Sequence, residues 1–173
     1  MLLLLPMAQE ESPKERLDRE LGELLQELRV ALPGVQVLFA FLLTVPFAQG
    51  FVRVNDGQKR AYFVAFLLST TAAILLIAPS VIHRLLFREG KKDRILFVSN
   101  TLAIAGLIVL AMAMTTVLFT ITDVLYGSPI SVITAAGAAV VFMVFWGLLP
   151  LTLRGMGRSH SVRKSEAPAS RRH

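Results

Sequence analysis

The stretch ELLQELRVALPGVQVLFAFLL, residues 23–43, changes character at its centre. Its first half intersperses leucines with acidic and amide side chains, which is typical of an amphipathic helix. From Val35 onward the apolar residues no longer keep to one face, as expected of a helix surrounded by lipid. Because proline removes a backbone donor and glycine weakens a helix, Pro33-Gly34 predicts a break between the two halves. An amphipathic helix over residues 12–32 is therefore expected before the first membrane span.

The predicted amphipathic helix has a well-defined start. Ser12 suits the N-cap, Pro13 suits the first helical position, and Glu15 completes a capping box. One face carries leucines at helical spacing: Leu17, Leu21, Leu24, Leu25, Leu28 and Leu32.

The polar face of this helix carries Glu20, Glu23 and Glu27. A helix that lies on anionic lipid usually has a basic polar face. This N-terminal segment instead has seven carboxylates, from Glu10 to Glu27, and four basic residues. Docking on lipid is therefore disfavoured, and two interpretations stay open. The helix caps the bundle and packs on the basic second loop, or it presents a surface that binds another protein.

Four apolar segments dominate the rest of the chain. Hydrophobic residues make up 54% and charged residues 17% of the sequence, whereas about a quarter of a soluble domain is charged. A soluble bundle is excluded because stretches such as Val64–Leu68 are apolar on every side. The expected fold class is all-α. The amphipathic helix at 12–32 precedes a four-helix transmembrane bundle over residues 33–153, and the ends at 1–11 and 154–173 are expected to be disordered. The predicted spans lie at about 34–52, 61–82, 97–122 and 130–153, each near the ~20 residues that cross a bilayer.

The distribution of Lys and Arg predicts the orientation. With four spans, the N-terminal segment, the second loop and the C-terminal tail share one side, which holds fifteen of the eighteen basic residues. The positive-inside rule places that side in the cytoplasm. The sequence therefore predicts a multi-pass protein of a bacterial plasma membrane with both termini cytoplasmic.

Four polar side chains lie in or beside the predicted spans: Gln36, His83, Arg84 and Asn100. Gln36 and Asn100 lie on the same side of the membrane, so their amides can hydrogen-bond across helices. His83 and Arg84 follow the second span, where they are expected to anchor at the headgroups near a basic loop that attracts anionic lipid. His83 has no second ligand at metal-binding spacing.

Asp123 is the acidic residue nearest to a span, at the outer end of the third. It can pair with Arg53 at the outer end of the first, as a water-facing interface group. The alternative is a proton or cation site, since ionisable groups inside membranes usually have a function. The threonines within the second and third spans can donate to their own helix backbone and need no ligand.

The sequence carries no signature of an enzyme. There is no Gly-rich phosphate loop, no HExxH, no G-x-S-x-G and no intramembrane catalytic pair. The absence of cysteine excludes disulfides and thiolate metal sites. No cofactor and no nucleic-acid partner are expected, because membrane topology already explains where the basic residues lie.

Two sequences, LDRELGELLQELRVALPGVQVLFAFLLTVPF at 17–47 and APSVIHRLLFREGKKD at 78–93, resemble a family of small four-helix membrane proteins from actinobacteria. That family is catalogued as a domain of unknown function. The resemblance covers roughly residues 14–154, and some similar proteins carry an automatic label of sodium:proton antiporter.

Two functions are therefore compared. The first is a non-enzymatic protein that binds a membrane-protein partner or stabilises an assembly. The second is a small transporter, such as a sodium:proton antiporter. Small residues every four positions in the fourth span, Ser131, Ala135 and Ala139, also permit a homodimer.

Overall fold

The computed structural model describes residues 12–86, 92–149 and 152, and all regular structure within them is helical. The first helix, α1, is Pro13–Thr44, and two short 3₁₀ turns follow at Val45–Phe47 and Gln49–Arg53. The remaining elements are α2 (Asp56–Leu86), α3 (Lys92–Tyr126) and α4 (Ser128–Phe142), which continues as a π-helical segment, Met143–Leu148. The expected ends at 1–11 and 154–173 lie outside the described residues.

Four helical segments are long and apolar enough to cross a membrane, one for each predicted span. The all-α fold class is thereby confirmed, and the chain is a multi-pass membrane protein. The helix α1 ends at Thr44, because Pro46 has no N–H with which to continue its backbone hydrogen bonds. The apolar helical segment as a whole continues to Phe47.

The predicted break at Pro33-Gly34 is wrong, because α1 runs through both residues as one helix of 32 residues. A separate amphipathic helix before the first span is therefore not confirmed. Proline inside a helix costs about 3 kcal/mol and glycine about 1 kcal/mol. Leu28 and Val35 on either side are both buried in one hydrophobic core, and a break would leave further backbone polar groups facing lipid, which cannot hydrogen-bond to them. Tertiary packing thus offsets the local preference for a break.

The start of α1 confirms the sequence prediction. Ser12 is the N-cap, its hydroxyl accepts from the Glu15 backbone N–H, and the Glu15 carboxylate accepts from the Ser12 backbone N–H at 2.9 Å. Such a capping box satisfies two backbone donors that a helix otherwise leaves unpaired. The leucine stripe is confirmed as well, since Leu21 and Leu28 are buried and the other four leucines are half-buried.

The chain divides into two compact units after Val117. In the first unit, α1, α2 and the first part of α3 enclose one core. Its buried members are Leu28, Val35, Ala72, Leu76, Ala103 and Leu110. Small side chains let helix backbones approach closely. Among the described glycines, Gly106 has the least room for a side chain. A Cβ placed there would lie 2.8 Å from Leu76 Cγ and 3.2 Å from Leu75 Cβ.

Aromatic contacts join the end of α1 to the start of α2. Phe39 stacks on Phe66 with ring centroids 5.3 Å apart. The Tyr62 hydroxyl donates to the backbone carbonyl of Leu42. Residue 46 would normally donate to that carbonyl, but it is proline and has no N–H. Tyr62 therefore supplies the hydrogen bond that the α1 backbone lacks.

The helices α1, α2 and α3 are longer than a bilayer requires. At 1.5 Å per residue they measure about 48, 46 and 52 Å, whereas the hydrocarbon core is about 30 Å thick. In α1 the charge-free part begins at Val30. Residues 13–29 carry the charged side chains of α1 and add about 25 Å of helix before the charge-free part.

In the second unit, a tight turn joins the end of α3 to α4. Gly127 has φ 85° and ψ 179°, a backbone conformation that is essentially restricted to glycine. Pro129 lies in the first turn of α4, where its missing N–H leaves no helical bond unmade. The sequence Gly-Ser-Pro at 127–129 therefore ends one helix and starts the next.

Candidate functional site

A groove of about 690 Å³ runs between α1 and α2 in the first unit. It brings together three residues that the sequence singled out, Gln36, His83 and Arg84. Sequence reasoning did not anticipate the others, because a groove depends on how two distant segments pack. The full lining is Leu25, Arg29, Leu32, Pro33, Gln36, Ser80, His83 and Arg84.

The charge of the groove is basic. Arg29 and Arg84 are exposed and His83 is half-buried. None of the described residues that line the groove is acidic. Within the described part of the chain, neither arginine forms an ion pair with a carboxylate. The two guanidinium groups are therefore available to an anion.

Polar and apolar groups occur at different levels of this groove. Arg29 directly precedes the charge-free part of α1, and Arg84 follows the charge-free part of α2 after His83. Both arginines thus mark the same edge of the hydrocarbon. Leu32, Pro33 and Gln36 lie further along α1 toward the membrane interior. Because Pro33 has no N–H, the Arg29 carbonyl also lacks its usual helical donor.

Asn100 is not part of the groove. It is exposed on α3, and no hydrogen bond joins it to Gln36 within the described residues. The hydrogen bond across helices that the sequence suggested is therefore not formed by this pair.

The three acidic candidates project from the N-terminal half of α1. Arg16 Nε donates to Glu20 Oε1 at 2.8 Å, and Arg19 Nη1 donates to Glu23 Oε1 at 3.1 Å. Glu23 and Glu27 are exposed and Glu20 is half-buried. Pairs of this kind, four residues apart on an exposed helix, contribute about 0.3–0.5 kcal/mol each. They orient the carboxylates and add little to the stability of the fold.

Asp123 lies beside the first turn of α4, within the second unit. The Ser131 hydroxyl lies 3.1 Å from Asp123 Oδ1 and 2.8 Å from the Ser128 carbonyl oxygen, and its single proton can bond to either. Ser131 itself is buried. The dipole of α4 favours a carboxylate near its N-terminus, whereas the dipole of α3 disfavours one in its last turn, where Asp123 lies. This geometry gives Asp123 a role in joining α3 to α4.

Replacing Asp123 with alanine is expected to lower stability by about 1 kcal/mol, because a partly buried hydrogen bond is lost. Asp123→Asn keeps an acceptor oxygen and should lose less than half of that. Thermal unfolding of the purified protein in detergent, followed by circular dichroism, measures both. Equal stability of Asp123→Ala and the unsubstituted protein would contradict this role.

The threonines of α2 and α3 confirm the sequence interpretation. Each of five donates its hydroxyl to the carbonyl four residues earlier in its own helix, at 2.7–2.9 Å: Thr70, Thr71, Thr115, Thr116 and Thr122. Ser69 and Ser99 differ, because their buried hydroxyl oxygens have no hydrogen-bond partner among the residues that the structure describes. The described residues contain no group of three or more His, Cys, Asp or Glu side chains that could hold a metal ion.

The comparisons with known proteins give a family and no activity. A family of unknown function, DUF6328, matches residues 10–150 of the chain. No curated protein and no solved structure matches the chain. Since the match covers well over half of the sequence, the chain belongs to the DUF6328 family.

Proposed function

We propose that this protein is a non-enzymatic component of a bacterial plasma membrane that binds a partner protein on the cytoplasmic side. The docking surface is the acidic face of α1, formed by Glu20, Glu23 and Glu27. Both termini lie in the cytoplasm in this proposal, as the excess of basic residues on that side favours.

The continuity of α1 through Pro33 is the observation that supports this proposal most. A helix that broke there could turn and lie along the membrane surface. One unbroken helix instead carries residues 13–29 away from the bilayer, over about 25 Å. Leu28 is buried in the protein's own core with Leu24 and Leu32 packed against it, and Leu21 is also buried. The acidic face therefore remains available to another molecule.

The charge of this face indicates the chemistry of the partner. Arg16 and Arg19 pair with two of the three glutamates, and Glu27 lies one turn beyond Glu23, nearest to the membrane. A partner with a basic surface close to the membrane fits this arrangement. Such complementarity guides association and specificity more than it adds raw affinity.

The triple substitution Glu20→Gln, Glu23→Gln and Glu27→Gln tests the proposal. We expect the apparent affinity for the partner to fall about ten-fold or more, since three charge contacts of about 0.5 kcal/mol each are lost. The native mass of the complex, extracted gently from its own membranes, should fall to that of the free protein. The fold should be unaffected, because the ion pairs involved are exposed.

Asp18→Asn is the matched control. It removes one carboxylate from the same helix, about 160° around the axis from Glu20, and should leave the native mass unchanged. If the triple variant keeps its partner, the acidic face is not the docking surface. A second copy of the chain, held through the Ser131, Ala135 and Ala139 stripe, would appear instead as a dimer that is insensitive to all these changes.

A sodium:proton antiporter is the weaker alternative. The chain has no Asp, Glu, Lys or Arg within four stretches of its apolar helices: 30–44, 61–82, 97–122 and 130–148. Transporters usually place such groups near the midplane of the membrane. The bonds between threonine hydroxyls and their own helices also weigh against an ion path through them. Sodium-driven proton movement in liposomes that is lost in Asp123→Asn would favour transport.

A further inference from the structure

We propose that the groove between α1 and α2 binds one anionic phospholipid from the leaflet on the side of the N-terminus. Arg29 and Arg84 contact the phosphate, and an acyl chain follows Leu32 and Pro33 into the hydrocarbon. This site is separate from the acidic face of α1, because Arg29 lies about 160° around the helix from Glu27.

The first argument is charge complementarity. Two exposed arginines and a half-buried histidine line the groove, and no carboxylate does so among the described residues. Arginine presents a planar fork of donors that matches two oxygens of a phosphate. Basic pockets between transmembrane helices are suited to anionic headgroups for the same reason.

The second argument is the order of groups along the membrane normal. The arginines lie at the hydrocarbon edge, whereas Leu32 and Pro33 lie one turn deeper along α1. An amphiphile with a charged head and an apolar tail matches this order, and a small soluble anion uses only its charged end. The occupant is therefore assigned as a lipid of the bilayer.

The third argument concerns the polar groups below the arginines. Gln36 and Ser80 are exposed and line the groove, and the Ser80 hydroxyl is a donor that can bond to an ester oxygen of a glycerolipid. Gln36 has no hydrogen bond to Asn100, so its amide is not committed to that pair. Ser80 lies one turn below Arg84 on α2, where the ester groups of a bound lipid would lie, and Gln36 lies two turns below Arg29, about 10 Å deeper.

Binding can be measured by native mass spectrometry on the purified protein in neutral detergent. Equal amounts of phosphatidylglycerol and phosphatidylcholine with identical acyl chains serve as probes. We expect preferential retention of one phosphatidylglycerol. Arg29→Gln and Arg84→Gln should each weaken retention about five-fold, and the double variant about thirty-fold.

Arg94→Gln is the matched control, because Arg94 is exposed, adjoins the charge-free part of α3 on the same membrane side, and lies outside the groove. It should leave retention unchanged. Equal loss in Arg94→Gln would indicate diffuse attraction and overturn the proposal. Equal retention of the two lipids by the unsubstituted protein would also overturn the proposal. This comparison does not depend on whether any variant folds.

The phosphate group in the groove could belong to a lipid or to free inorganic phosphate. Inorganic phosphate, added alone and in competition with phosphatidylglycerol, distinguishes the two. It should not displace the bound lipid, because it cannot use the apolar part of the groove. Displacement at an equal concentration would assign the site to a free anion and overturn the lipid proposal.

Discussion

Replacing Gly106 with leucine is expected to destabilise the first unit by at least about 3 kcal/mol. Even a methyl group at this position would lie 2.8 Å from Leu76 Cγ, and Leu76 is fully buried. Overpacking a close-packed core typically costs 1–3 kcal/mol, and leucine adds three more carbons beyond the clashing one. The gain in helix propensity over glycine, about 0.8–1 kcal/mol, does not offset this.

Unfolding of the purified protein in mixed detergent and SDS micelles, monitored by circular dichroism, measures the effect. Gly137→Leu is the matched control, because a Cβ at Gly137 meets no atom within 4 Å. It should unfold at the same SDS fraction as the unsubstituted protein or at a somewhat higher one, because leucine forms helix better than glycine. Similar behaviour of Gly106→Leu and Gly137→Leu would mean that α2 and α3 do not approach closely at Gly106.

Truncating Leu76 to alanine should cost about 2–3 kcal/mol. This lies at the low end of the range for buried leucines, because lipid removes part of the hydrophobic transfer term while the cavity remains. The residue packs in the same core as Leu28 of α1 and Ala103 of α3. The same SDS titration measures the loss.

Combining Leu76→Ala with Gly106→Leu should cost less than the sum of the two single substitutions. The space vacated at residue 76 can accept the new side chain at residue 106, and residues in contact are not additive. If the loss of stability in the double variant equals the sum of the two single losses, the two positions do not share one packing site. The stability of the second unit, reported by the fluorescence of Trp146, should change little in either case.

Local signals in the sequence predicted local structure well. The capping box at Ser12 and Glu15 depends on residues three apart, and the leucine stripe of α1 depends on helical periodicity, so both could be predicted without tertiary information. The bonding of threonine hydroxyls to their own helices is local for the same reason. The four apolar segments were also visible, since each must be long enough to cross a bilayer.

Packing between distant segments could not be predicted in this way. Pro33 and Gly34 are strong local signals for a break, but Leu28 and Val35 are buried against residues more than thirty positions away, and that burial keeps the helix intact. The groove needs the same long-range information, so Arg29 and Ser80 were not recognised. The contact of Asp123 with Ser131 crosses the turn at Gly127, and it depends on how α4 starts beside the end of α3, which the sequence did not predict.

The length of α1 sets an order for the assembly of the protein. Residues 13–29 leave the ribosome before α2 and α3, yet Leu28 belongs to a core whose members on those two helices are made much later: Ala72, Leu76, Ala103 and Leu110. Until α2 and α3 have entered the membrane, the leucine face of α1 has no surface of its own chain to cover it. The part of the described chain that is made first is therefore the part whose packing is completed last.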